Sequence, residues 1–99
     1  MRTTLVRYRT LNDKADDNQR AIEAVFAELS RKVPSGLRYL AMRAPDATFY
    51  HVVMAEPEAR AMTDLDSFRA FREGLHGRTA EPPVSVDLMV VGNYRMVPT

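Results

Sequence analysis

The amino-acid sequence predicts an α+β protein with the element order β-α-β-β-α-β. Three observations carry that prediction. Four segments alternate with period 2, two stretches between them place apolar residues at period 3.6, and proline or glycine stands at three of the four changes of period. A chain of 99 residues is the size of a single domain, 1-99, with no room for a second. Its 45% hydrophobic and 27% charged residues are the balance of a folded chain and not of a disordered one.

The first strand is expected over Thr3 to Arg9, with Thr4, Val6 and Tyr8 on one side and Leu5, Arg7 and Arg9 on the other. From about Asp13 to Val33 the period lengthens, and Ile22, Val25, Phe26, Leu29 and Val33 form one stripe of an amphipathic helix. Asp13, Asp16 and Asp17 near its start and Arg31 and Lys32 near its end suit the helix dipole, and Pro34 and Gly36 stop it. Leu37 to Arg43 and Thr48 to Ala55 are two further strands. The link Ala44-Pro45-Asp46-Ala47 makes them an antiparallel hairpin, because proline presets φ for a tight turn. Glu56 to Met62 lacks a period and carries Pro57, so it reads as a loop. Thr63 opens the second helix, Thr63-x-x-Asp66 resembling a capping box and Leu65, Phe68, Phe71 and Leu75 forming the inward stripe. Gly77 is the expected terminator, and Gly74 weakens the last turn by about 1 kcal/mol relative to alanine. Pro82-Pro83 blocks helix and ladder alike; after it Val84, Val86, Leu88 and Val90 alternate with Ser85, Asp87 and Met89 in a long last strand.

In this ferredoxin-like order, right-handed crossovers put both helices on one face of a four-stranded antiparallel sheet. The other face has no cover from its own chain and should be polar in a monomer. It is not. The third strand sets Phe49, His51 and Val53 against Tyr50, Val52 and Met54. The second sets Leu37, Tyr39 and Ala41 against Leu40 and Met42, and the last adds Met89 and Val91 to its less apolar face. Open apolar surface of that extent exceeds what soluble monomers tolerate, so a symmetric homodimer, sheet against sheet, is expected.

A formal charge of +1 supplies no bulk attraction to nucleic acid or to an anionic membrane. RNA-binding domains of the same element order carry a basic-Gly-aromatic run in the third strand, which Ala47-Thr48-Phe49-Tyr50-His51-Val52-Val53 lacks; Arg7, Arg9 and Arg38 read as solvated or edge residues. The absence of cysteine removes disulfides, thiolate metal sites and cysteine nucleophiles together. MRTTLVRYRT has no continuous apolar segment of the signal-peptide kind, and no stretch approaches the ~20 apolar residues that span a bilayer. The expected location is the cytoplasm, with no nucleic-acid or membrane partner and no cofactor.

Four pieces of the chain resemble the dimeric α+β barrel superfamily, in particular small proteins of the antibiotic biosynthesis monooxygenase type. They are Gly36-Leu37-Arg38-Tyr39 leading into the second strand, Thr48-Phe49-Tyr50-His51-Val52-Val53, Leu65-x-x-Phe68-x-x-Phe71, and Glu81-Pro82-Pro83-Val84 ahead of the last strand. The resemblance implies a homodimer whose two sheets form a barrel, with a pocket in each subunit between sheet and helices. Its members include cofactor-free oxygenases, haem degraders and many proteins with no assigned reaction.

Three functions follow. The first is a non-catalytic module that binds a small apolar or aromatic molecule, with Tyr8, Tyr50, Phe68 and Phe71 as candidate ligand contacts; it gains from the lack of paired carboxylates, metal-spaced histidines and Gly-rich phosphate loops. The second is a cofactor-independent monooxygenase acting on a polyphenol or quinol. His51, flanked by Phe49 and Val53, is its candidate base, and Tyr39 or Tyr8 its orienting hydroxyl. The third is haem binding or degradation through His76, at the position where the resemblance places an axial histidine. That reading lacks the tryptophan and the first-strand asparagine those enzymes combine with it.

Overall fold

The computed structural model describes residues 1–97. Strand β1 runs Arg2–Thr10, helix α1 Ala15–Lys32, β2 Leu37–Arg43, β3 Thr48–Ala55, α2 Asp66–Leu75 and β4 Thr79–Leu88. The four strands form one antiparallel sheet in the order β2-β3-β1-β4. This is the expected α+β, ferredoxin-like arrangement. The core joins Tyr8 and Phe49 of the sheet to Ile22 and Val25 of α1 and to Phe71 and Leu75 of α2, so both helices lie on one face.

Register decides which residues share that face. Val6 lies opposite His51 and Ala41 opposite His51 on the other side, while Tyr8 lies opposite Phe49 and Tyr39 opposite Val53. The helix side therefore carries Val6, Tyr8, Tyr39, His51 and Val53. One residue along each strand the parity flips, and Leu5, Leu40, Val52 and Val86 form a cross-strand row on the open side.

The chain ends its helices differently from the sequence prediction. Asn12–Lys14 form a 3-10 turn, which delays α1 to Ala15. Val33 is not part of the buried stripe: it takes a left-handed conformation (φ 44°), donates its N–H to the Leu29 carbonyl and points to solvent. A β-branched residue there is strained, and the following Pro34 already disfavours continuing the helix. In its place the inward face of α1 buries two polar residues, Asn18 and Glu28.

Thr63 does not cap α2, and Glu28 of α1 meets the first turn of that helix instead. Met62–Asp64 form a separate 3-10 turn, and no side chain at the start of α2 caps it. The Glu28 carboxylate accepts hydrogen bonds from the Ser67 N–H (2.9 Å) and hydroxyl (2.6 Å) and pairs with Lys32 at 2.6 Å. Lys32 and Ser67 together hold its pKa down to about 2. A carboxylate at a helix N-terminus satisfies a free donor and complements the dipole.

β4 also departs from expectation. It begins at Thr79, ahead of Pro82-Pro83, and ends at Leu88, so Val90 lies beyond it. Arg7 pairs with Val84 but Arg9 with Glu81, so an extra residue bulges out of β4 where the two prolines sit. Because β4 is an edge strand, the missing N–H groups break no interior ladder. The same register reverses the predicted faces of β4: Val84, Val86 and Leu88 stand on the open side with Leu5 and Thr3, and Ser85 and Asp87 on the helix side.

Candidate functional site

A cavity of about 310 Å³ opens between α2 and the helix side of the sheet, bounded by Val6, Val53, Phe68, Phe71, Leu75 and Pro83 and, on its polar side, by Tyr8, Tyr39, His51 and Arg72. That volume sits at the lower end of the range for small-molecule sites, roughly 300–1,000 Å³. Each wall has a local cause. Period-2 alternation turns Val6 and Tyr8 of β1 and His51 and Val53 of β3 to the same side; the α2 stripe supplies Phe68, Phe71 and Leu75; the bulge in β4 brings Pro83 to the rim. A larger cleft of about 520 Å³ between the α1–β2 and β3–α2 connections is lined by Lys32, Glu58, Arg60 and Asp64 and holds none of the buried titratable groups of the first.

At the polar side of the cavity His51, 4% exposed, is held between two phenols. Its Nε2 lies 2.8 Å from the Tyr8 hydroxyl, and its Nδ1 is hydrogen-bonded to the Tyr39 hydroxyl. The rings pack as well: Tyr8 stacks on Phe49 (centroids 5.6 Å apart), Tyr39 on Phe26 (4.9 Å), and the imidazole tilts against Phe71 (5.6 Å). Burial pushes the His51 pKa down to about 4 and the Tyr8 pKa up to about 12, and it raises Tyr39 too, with a smaller contribution from Tyr8. At neutral pH all three groups are therefore uncharged, and a neutral imidazole has one donor and one acceptor nitrogen for its two neighbours.

The chain of contacts continues behind Tyr8. The Asn18 amide donates to the Tyr8 hydroxyl at 2.8 Å, and Arg78 donates through Nε to the Asn18 carbonyl oxygen at 3.0 Å and through Nη2 to the Phe71 carbonyl at 3.2 Å. Gly74 makes room for this: a Cβ there would overlap the Arg78 guanidinium.

Of the residues singled out in the sequence, His51, Tyr39, Tyr8, Phe68 and Phe71 meet at this cavity. Tyr50 does not. It lies opposite Arg7 and Met42, on the open face of the sheet. His76 is exposed in the 3-10 turn His76–Arg78 and is not part of the cavity wall. Sequence reasoning missed Asn18 and Arg78. Asn18 carried a usable signal, since it stands four residues before Ile22 and seven before Val25, on the buried stripe; Arg78 carried none, because its reach depends on how the chain turns after α2.

Comparison with solved structures supplies the wider context. A candidate antibiotic biosynthesis monooxygenase from Nitrosomonas europaea superimposes with a TM-score of 0.77 at 18% identity, over 93% of this chain and 100% of that one. One from Bacteroides thetaiotaomicron gives 0.78 at 12% identity, over 98% and 95%. The fold is that of the antibiotic biosynthesis monooxygenase-like proteins. A Nitrosomonas europaea protein of unknown function shares it as well, with a TM-score of 0.72 at 15% identity over 99% of this chain and 95% of that one. No protein-family model and no curated protein matches the sequence. At these identities the likeness establishes the monooxygenase-like fold, and the chemistry rests on the side chains. No helix among the described residues is long and apolar enough to cross a membrane.

Proposed function

We propose that the protein is a homodimer that binds one small aromatic molecule per subunit in the cavity over His51. The observation that carries this reading is the cavity's composition: apolar walls of fitting volume closing on one cluster of neutral, hydrogen-bonding groups. The dimer is supported by the open face. Leu40, Met42, Val84, Val86 and Leu88 are each near half exposed or more, and the apolar segment from Met89 to Val97 runs on against Thr3, Val52 and Met54 of that same face. Calorimetric titration with monocyclic phenols and quinones tests the cavity, with saturable binding of one molecule per subunit expected. Val6→Phe should abolish it by filling the space; undiminished binding by that variant would place the ligand elsewhere.

A second reading, cofactor-independent monooxygenation, is favoured by the buried imidazole itself. In such a reaction a phenol ring C–H becomes a quinone carbonyl. One atom of O2 enters the ring, the other leaves as water, and the substrate supplies all four electrons. The step asked of the protein is removal of the phenol proton. Burial holds the His51 pKa well below that of a free imidazole, which makes the ring a weak acceptor for a phenol proton. Binding is therefore the leading reading. Both His51 nitrogens are also occupied, so the proton must pass through a tyrosine hydroxyl. If His51→Ala leaves oxygen uptake on a polyphenol panel unchanged, His51 is not the base.

A further inference from the structure

The hydrogen bonds around His51 run in one direction, and that direction selects the ligand. Arginine is a donor only, so the Asn18 atom facing Arg78 Nε is its carbonyl oxygen, and the amide nitrogen faces Tyr8. The Tyr8 hydroxyl thus accepts from Asn18, and its own proton needs an acceptor. Tyr8 is 1% exposed, and among the described residues the other polar atom within reach of its hydroxyl is His51 Nε2. If Nε2 carried the ring proton, the Tyr8 O–H would be buried without a partner, at a cost of about 1–3 kcal/mol. With Nε2 as acceptor the ring proton sits on Nδ1 and is donated to the Tyr39 oxygen. The Tyr39 proton is the one left over, and Tyr39 is half-buried at the cavity wall.

We infer that Arg78 and Asn18 are positioning residues that set this polarity, so that the cavity presents one O–H donor, from Tyr39, and takes aromatic molecules bearing an acceptor oxygen: quinone carbonyls or phenolates. The inference rests on the cavity being a ligand site, as proposed above. A second, independent feature points the same way. Arg72 stands at the cavity and no carboxylate is among the described residues that line it, so the surrounding charge favours an electron-rich oxygen. In this arrangement His51 offers the ligand no lone pair; it transmits, and Tyr39 touches.

The two parts of the inference separate experimentally. The chain has two histidines, His51 and His76, so a long-range nitrogen–proton correlation NMR spectrum of labelled protein at neutral pH reads the His51 tautomer without any ligand. Nδ1–H is expected, and Nε2–H would overturn the polarity. Absorbance titration of para-nitrophenol across pH then reads the ligand class, because phenol and phenolate absorb differently. The apparent pKa of the bound dye should fall by about one unit, roughly a tenfold preference for phenolate. A rise would overturn the ligand class. Dye that does not bind to a protein showing Nδ1–H would overturn the cavity reading on which that class depends. Arg78→Met should return both the tautomer ratio and the bound dye's pKa toward their free values, although Arg78 does not line the cavity; a folded variant with both unchanged would remove Arg78 from the chain of effects.

Discussion

On the helix side of the central strands β1 and β3, Tyr8, Phe49 and His51 are almost inaccessible, while on the open side the edge strands β2 and β4 leave Leu40 48% exposed and Val86 47%. The two faces differ little in apolar content, yet one is finished by its own chain and the other is not. The finished face admits polar groups because each has a partner: His51 has two phenols, Asn18 has Tyr8 and Arg78, Glu28 has Ser67 and Lys32. The open face is mostly aliphatic in its centre, with ion pairs of Arg7 and Arg9 to Glu81 at one end. The polar groups of one face find partners inside the subunit, and the aliphatic groups of the other are left without cover, the surface that the proposed dimer would use.

The largest expected effect comes from breaking the open face. Val86→Arg places a charge in the row Leu5, Leu40, Val52 and Val86, and in a two-fold dimer it does so twice. A buried unpaired charge costs about 3–5 kcal/mol, so dissociation should strengthen by on the order of a thousandfold or more. Sedimentation velocity over a concentration series measures it, and the circular dichroism of the monomer should remain that of the folded subunit.

On the finished face Phe71→Ala removes the ring that packs against Tyr8, His51 and Phe68. It should lower unfolding stability by about 3–5 kcal/mol in urea titration and weaken any cavity ligand. Acid acts on the same face. A His51 pKa of about 4, below the unfolded 6.5, means the unfolded chain binds more protons between those values. The stability from burying the neutral ring is complete above pH 6.5 and is lost as pH falls through about 4, amounting to about 3 kcal/mol. His51→Asn should flatten that part of the stability–pH curve, whereas His76→Asn, an exposed change, should leave it intact. A smaller loss is expected from Glu28→Ala, which strips α2 of its carboxylate cap. Hydrogen exchange at Ser67 and its neighbours should then rise while the sheet amides stay protected.

Much of this was legible in the sequence because periodicity reports faces directly. The alternation through Val6 and Tyr8, and through Phe49, His51 and Val53, is enough to put those side chains together once the strands pair. What periodicity leaves open is set by events between elements. The Pro82-Pro83 bulge fixes which side of β4 meets the open face, a glutamate from α1 replaces the expected local cap of α2, and Arg78 reaches Asn18 only across a glycine. Tyr50 shows the same limit from the other direction: its residue type suggested the pocket, and its parity placed it on the open face. Chemistry in this chain follows register more closely than residue type.

A native mass spectrum of untagged, freshly purified protein reports at once whether a second copy completes the open face and whether the enclosed face holds a ligand. The expected result is a dimer, with up to two equivalents of a small retained molecule that Val6→Phe no longer carries. A monomer at micromolar concentration with its fold intact would contradict it.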